Sequence, residues 1–276
     1  MGRSIKLRGY SVGQDITITA PDTDAPTEST EGSHLGPIDY IRSTGVPGQF
    51  ATCTCDNTDD VRVWDCQGGN AKLQEVHKIG QLGNHGLCTA KASQLIAVPG
   101  KSPELRVYNA KAQPSKKGEY LDKVWVLKAS ANETRFAGMS ECGQILMAAD
   151  SRTIFIWRLN ATEQKSELVA TLSVPKDIYA ADVLRPVNED NYHDSFVVLA
   201  YATGMDLHLV AFKEGKVLEE IGRDCVRNAH INKIKIVRLA VIGEKVVVLT
   251  VANDKCIKLW EVPNEWLPRC SLMWIK

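Results

Sequence analysis

The amino-acid sequence predicts an all-β fold, a β-propeller of four-stranded antiparallel blades with five recognisable and six or seven possible. Three observations predict it. A short alternating strand, often ending on an aromatic residue, recurs as Val61-Arg62-Val63-Trp64-Asp65, Leu105-Arg106-Val107-Tyr108-Asn109, Ile154-Phe155-Ile156-Trp157-Arg158, Asp206-Leu207-His208-Leu209-Val210 and Ile257-Lys258-Leu259-Trp260-Glu261. The copies begin at residues 61, 105, 154, 206 and 257, so they lie 44, 49, 52 and 51 residues apart, and a period of about 40–50 residues is that of one blade. Helical periodicity is nearly absent, while period-two alternation, which leaves one face of a strand buried and the other wet, is common.

The elements follow in order within each copy. The expected innermost strands are 38–42, 87–91, 135–139, 178–184 and 234–239. Next come small-residue apolar strands at 50–53, 94–97, 145–148, 196–199 and 246–249. Tight turns lead into the aromatic strands and carry Asp56-Asn57, Lys101-Ser102-Pro103, Asp150-Ser151, Gly204 and Asn253-Asp254, residues suited to short hairpins. The outer strands are expected at 73–76, 124–127, 168–172, 217–221 and 272–275, with residues 160–168 read as a loop. The chain divides into an N-terminal extension, 1–33, and the propeller, 34–276. Within the extension, residues 5–20 are expected to add a strand or hairpin beside the last blade and close the ring, which removes open sheet edges. The polar, acidic stretch 21–33 reads as a mobile loop.

Composition narrows the function. A chain of 276 residues that is 44% apolar can bury a substantial core. Its 33 basic and 33 acidic residues cancel, so it lacks the bulk field that attracts long nucleic acids or anionic membranes. The eight cysteines form no C-x-x-C pair and sit in apolar runs, the pattern of buried free thiols in a reducing compartment. Cys53 and Cys55 share a strand face and are read as core thiols rather than a metal or redox pair. No secretory signal follows Met1, and no apolar run approaches the roughly 20 residues of a membrane span. The sequons at Asn132 and Asn160 are read as chance. The expectation is a cytoplasmic chain without direct membrane insertion, or an ER-associated one if an N-terminal anchor lies outside this sequence.

The span from about residue 34 to 275 resembles the WD-repeat family. His34, His85 and His230 precede Trp64, Tyr108 and Trp260 by 30, 23 and 30 residues, and Gly32-Ser33-His34, Gly83-Asn84-His85 and Asn228-Ala229-His230 are similar to the family's Gly-His element. The resemblance implies a buried polar network in each blade, running from a His near the innermost strand to the Trp and a turn Asp. That assigns His34, Trp64, His85, Tyr108, Asp150, Trp157, His230, Asp254 and Trp260 to structural roles. The pattern is incomplete. Ala129-Ser130 stand where the third His belongs, the fourth copy lacks His and aromatic anchor, and Ala252 occupies the usual hydroxyl position of the last blade. His77, His193 and His208 have no partner in the sequence. A narrower resemblance, to the transducin β-like 2 family, lies in residues 102–108, 116–120, 124–128 and 198–208. It implies an ER-associated adaptor in translation control under stress, held by an anchor that this sequence does not contain. The segment 229–260 is similar to ribosome-assembly WD-repeat proteins.

No catalytic, cofactor-binding or metal-ligating residues are expected. Phosphate-loop, dinucleotide, metalloprotease and nucleophile-elbow motifs are absent. Asp59-Asp60 and Glu219-Glu220 are adjacent, and adjacent strand residues face opposite ways. Lys233 and Lys235 near Arg238 could touch phosphate but read as a solvated strand face. Trp125 and Trp266 read as packing residues before binding hot spots. The expected function is a non-enzymatic scaffold or adaptor for other proteins, with Asp56, Asn57, Lys101, Ser102, Ser151, Arg152, Asn253 and Lys255 on its interaction face. The alternatives are a ribosome- or ribonucleoprotein-associated propeller and a propeller enzyme with a central-channel site.

Overall fold

The computed structural model describes residues 5–6, 17–18, 38, 40–53, 60–65, 74–82, 87–99, 103–111, 123–128, 133–186, 196–242 and 245–262, and these contain strands and turns but no helix. β1 (Ile5–Lys6) and β2 (Thr17–Ile18) pair antiparallel with each other. The acidic stretch 21–33 lies outside the described residues.

Five meandering sheets follow. The first holds β3 (Tyr40–Ser43), β4 (Gln49–Cys53), β5 (Asp60–Asp65) and β6 (Gln74–Leu82), and the second β7 (Cys88–Ala90), β8 (Leu95–Val98), β9 (Glu104–Asn109) and β10 (Lys123–Lys128). The third holds β11 (Phe136–Met139), β12 (Ile145–Ala149), β13 (Thr153–Asn160) and β14 (Lys165–Ser173), and the fourth β15 (Ala180–Leu184), β16 (Phe196–Thr203), β17 (Asp206–Lys213) and β18 (Glu219–Val226). The fifth has three described strands, β19 (Ile234–Ile242), β20 (Lys245–Ala252) and β21 (Ile257–Glu261). Its expected outer strand, 272–275, lies outside the described residues.

Two segments differ from expectation. Residues 160–168 are not a loop. They hold a four-residue turn, 161–164, between the long strands β13 and β14. Asn160 closes that turn because its Oδ1 accepts the N–H groups of Thr162 and Glu163, the local bonding that suits Asn to turns. The fourth outer strand runs from Glu219 to Val226 rather than over 217–221, since Leu218 turns inward to the core while Val217 stays in solvent.

Each sheet packs on the next through side chains of alternating parity. Ala51, Val61 and Val63 meet Ile96 and Val98 between the first two sheets, and Leu105, Val107 and Trp125 meet Leu146 and Trp157 between the second and third. In β16, Val197, Leu199 and Tyr201 face the third sheet while Val198 and Ala200 face the fifth. All eight residues of β16 and all five of β12 are therefore buried, and a strand covered on both faces reads as a continuous apolar run. Each fully buried Val, Leu or Ile contributes about 1.5–3 kcal/mol. Among the described residues the fifth sheet is covered on one side only, and Ile257 and Leu259 are 69% and 59% exposed.

The first strands of the sheets stand side by side, β7 against β3 and β11 and β15 against β11 and β19. Residues from β3, β11, β15 and β19, with Leu87 just ahead of β7, line one central cavity of about 180 Å³. Five sheets radiating from one axis make the fold a β-propeller.

Gly45, in the β3–β4 turn, marks a close approach of the first two sheets. Its φ is +86°, and a Cβ there would collide with the Lys91 carbonyl oxygen. Gly204, in the β16–β17 turn, has φ +75° with open space around it. Gly45→Ala is therefore expected to cost about 3 kcal/mol, from backbone strain plus overpacking, and Gly204→Ala about 1 kcal/mol from backbone strain. Urea denaturation of both variants checks the ranking, and equal losses would remove the close inter-sheet contact as the cause.

Candidate functional site

The turns that join second to third strands, and the connections from one sheet to the next, lie together on one face. On the fifth sheet this face is anchored by a polar relay. The indole N–H of Trp260 donates to Thr250 Oγ1 at 2.9 Å, and Thr250 Oγ1 lies 2.8 Å from His230 Nε2. His230 Nδ1 lies 2.9 Å from Asp254 Oδ2. A carboxylate only accepts, so Nδ1 carries the proton given to Asp254, and Nε2 is then free to accept from the threonine hydroxyl. His230, Thr250 and the Asp254 side chain are buried. A buried polar set of this kind is stabilising when every member is satisfied.

The relay shapes the surface above it. Asp254 also accepts the backbone N–H groups of Cys256 at 2.9 Å and Ile231 at 3.2 Å, tying the β20–β21 turn to the loop before β19. Burial works against the Asp254 charge, but the bonds from Cys256, His230 and Ile231 hold its carboxyl below the ordinary carboxylate range. Thr250 stands four residues before Asp254, so the hydroxyl is not at position 252, where alanine stands opposite Ile234. Thr250 was missed because it meets Trp260 diagonally across two strands, with Lys258 directly opposite it. Its one sequence signal is a hydroxyl residue about ten positions ahead of the anchor Trp, shared by Thr52, which accepts the Trp64 indole N–H at 2.6 Å.

The other network residues lie in different settings. Tyr108 is buried between the first two sheets. Trp157 is buried and stacks on Phe155 with ring centroids 5.9 Å apart. Asp150 caps its own turn, accepting the N–H groups of Arg152 and Thr153 at 2.8 and 2.7 Å. His34 and His85 lie outside the described residues. His208, expected to lack a partner, bonds Thr203 Oγ1 at 2.8 Å and stacks on Tyr201 at 4.7 Å, because both residues of β16 sit beside it in the ladder. Burial lowers its pKa.

Of the interaction-face candidates, Arg152, Asn253 and Lys255 are exposed and Ser151 is half-buried. Asp56, Asn57, Lys101 and Ser102 lie outside the described residues. Between the turns of the third to fifth sheets runs an open cleft of about 520 Å³ lined by Arg152, Lys176, Asp177, Tyr179, Met205, Asp206 and Asn228, among others. Asp206 accepts the Asn228 N–H at 3.0 Å and pairs with Lys176 at 3.1 Å, and these contacts hold its carboxyl below the usual range. Lys233 Nζ sits 3.2 Å from the centre of the Tyr179 ring, a cation–π contact. Beside the cleft, Ile231 is 86% exposed on its pinned loop, and Met205 is exposed in the β16–β17 turn. Neither had been singled out in the sequence.

One further expectation needs correction. Cys225 and Cys256 are exposed rather than core thiols, since Cys225 lies on the outer strand β18 and Cys256 in the turn ahead of β21. Trp125 is the packing residue that the sequence suggested, buried between the second and third sheets with its indole N–H unbonded. Among the described residues, no three His, Cys, Asp or Glu side chains converge to hold a metal ion.

No family model and no curated protein match the sequence. Among solved structures, a chain in the crystal structure of the mitotic checkpoint complex has a similar fold, with a TM-score of 0.57 and 12% sequence identity. The similarity covers 83% of this chain, which spans 65% of the length of that one.

Thr250→Val removes both the acceptor of Trp260 and the partner of His230, and is expected to cost about 1–3 kcal/mol, the penalty for stranding buried polar groups. Asp254 and Asp206 titrate below their unfolded values, so their contribution is complete above about pH 4, the ordinary aspartate range, and disappears as pH falls through the lower folded values. Urea midpoints from pH 3 to 7 are expected to fall on the acid side, and less steeply in Asp254→Asn. An acid limb of the same slope in that variant would remove Asp254 from the explanation.

Proposed function

We propose that this chain is a non-enzymatic protein-interaction scaffold that engages its partners on the turn face of the third to fifth sheets. The observation that carries the reading is Ile231, a large apolar side chain 86% exposed on a loop that Asp254 holds by its backbone N–H. Exposed apolar groups on rigid loops cost little ordering entropy when a partner covers them. Met205 adds apolar area nearby, and Arg152, Lys176 and Asp177 supply a mixed-charge rim, the composition of a protein-binding patch. A structural neighbour that belongs to a multiprotein complex supports the reading at the level of fold.

The narrower sequence resemblance extends the proposal to an adaptor in translation control or stress signalling, cytoplasmic or ER-associated. The balanced charge of the chain favours protein partners over the ribosome or other ribonucleoproteins.

Affinity capture from cell lysate, with and without nuclease, compares wild type with Ile231→Glu, Met205→Glu and Val217→Glu. Val217 is exposed in the β17–β18 connection, at the other end of these strands. The wild-type set of proteins is expected to survive nuclease, to be depleted about tenfold or more in the first two variants, as for loss of an interface hot spot, and to be unchanged in Val217→Glu. Loss of the set on nuclease treatment would favour a ribonucleoprotein partner, and equal capture by all variants would remove this face from recognition.

A further inference from the structure

The central cavity has a composition that the scaffold reading does not use. Arg42 of β3 and Lys235 and Arg238 of β19 line it, and among the described residues no acidic one does. Arg42 gives one bond, 2.9 Å, to the carbonyl of Ile41, and Arg238 one of 3.1 Å to the carbonyl of Val237. Each guanidinium carries five N–H donors, so among the described residues most are not used by the protein itself. Among the described residues neither arginine has a carboxylate within ion-pair distance. The nearby acid is Asp182, whose Oδ2 accepts the Leu239 N–H at 2.9 Å. Burial pushes the Asp182 carboxyl up, against the opposing field of Arg238, the N–H bonds of Leu239 and Val183, and the field of Arg42. The Cys88 thiol is pushed up to about 12, by burial first and by Asp182 second, and adds no negative charge at neutral pH. Arg42 itself is pulled below the ordinary arginine value by burial first and then by Arg238. Two like charges from opposite ends of the chain thus meet at the propeller axis.

We propose that the central channel binds one small phosphate group between the Arg42 and Arg238 guanidiniums, with Lys235 at its rim. Planar guanidinium forks match the oxygens of phosphate two at a time. An anion there converts a repulsive pair into two attractive ones, and it bridges the first and last sheets of the ring. The size of the cavity limits the ligand. About 180 Å³ is smaller than the roughly 300–1,000 Å³ of pockets that hold drug-sized molecules, so it fits inorganic phosphate or the head of a small monoester and is too small to enclose a whole nucleotide.

The test is isothermal titration of the purified chain in phosphate-free buffer with inorganic phosphate and, separately, O-phosphoserine, against chloride at matched ionic strength. Thermal melts with and without phosphate accompany it. One site per chain is expected, millimolar or tighter, weakened about tenfold or more in Arg42→Gln and in Arg238→Gln, the loss expected for a charged hydrogen-bond donor. Arg42→Lys keeps the charge without the fork and is expected to fall between. Binding of inorganic phosphate alone assigns the free ion, and comparable binding of O-phosphoserine assigns an esterified phosphate. In phosphate-free buffer Arg42→Gln is expected to melt at or above the wild-type temperature, because repulsion is removed. A non-saturable response equal to that of chloride, affinity unchanged by either glutamine variant, or a lower melting temperature of Arg42→Gln without phosphate would each overturn the proposal.

Discussion

Everything in this molecule depends on sheets being covered by other sheets. A single four-stranded meander of this sequence would expose one apolar face whichever way it turned, since β12 and β16 carry apolar or small side chains on both parities. Stacking the sheets around an axis satisfies both faces at once. The turns and the central cavity inherit their positions from that stacking, as the inner strands are brought together only when the sheets fan out from a common line. Hydrogen bonding within each sheet fixes register, but burial between sheets fixes the fold.

Polar groups have a second, local role. In the fifth sheet the chain Trp260–Thr250–His230–Asp254 crosses from the third strand through the second to the loop ahead of the first, so one network fixes three segments at once. In the third sheet Asp150 serves only its own turn and Trp157 acts by packing. The two solutions go with different covering: among the described residues the third sheet is clamped on both faces and the fifth on one. Where apolar contact is halved, a satisfied buried network compensates, and its Asp254 end is also what presents Ile231 outward. Stability and presentation at that face therefore share residues, which makes the loop before β19 sensitive to changes in the core.

Much of the fold was legible in the sequence because a repeat amplifies weak signals. No single run such as Leu105-Arg106-Val107-Tyr108-Asn109 identifies a blade, but five runs at similar spacing do. The fourth copy, without an aromatic anchor, was still found through period and alternation, and Val210 and Leu209 are packed in its core. Other features were hidden for physical reasons. The role of Thr250 arises from a diagonal between strands, which no spacing rule encodes without the register. His208 looked isolated because its partners, Tyr201 and Thr203, lie across a hairpin. The cationic lining of the channel was hidden most deeply. Arg42 and Arg238 are 196 positions apart, and each alone reads as an ordinary strand residue. Exposed Ile231 could not be told from a buried isoleucine, since burial of a loop residue depends on what the neighbouring loops leave uncovered.

The unequal covering of the sheets also gives the array a direction. An assembly in which each layer leans mainly on its neighbours loses order from whichever end is held by one neighbour rather than two. Among the described residues that end is the fifth sheet, with Ile257 and Leu259 facing water, whereas the first sheet keeps Thr52 and Arg62 buried on the side away from the second. Thermal fraying therefore begins at the C-terminal layer and runs inward, so amide protons of β20 and β21 exchange before those of β12 and β16.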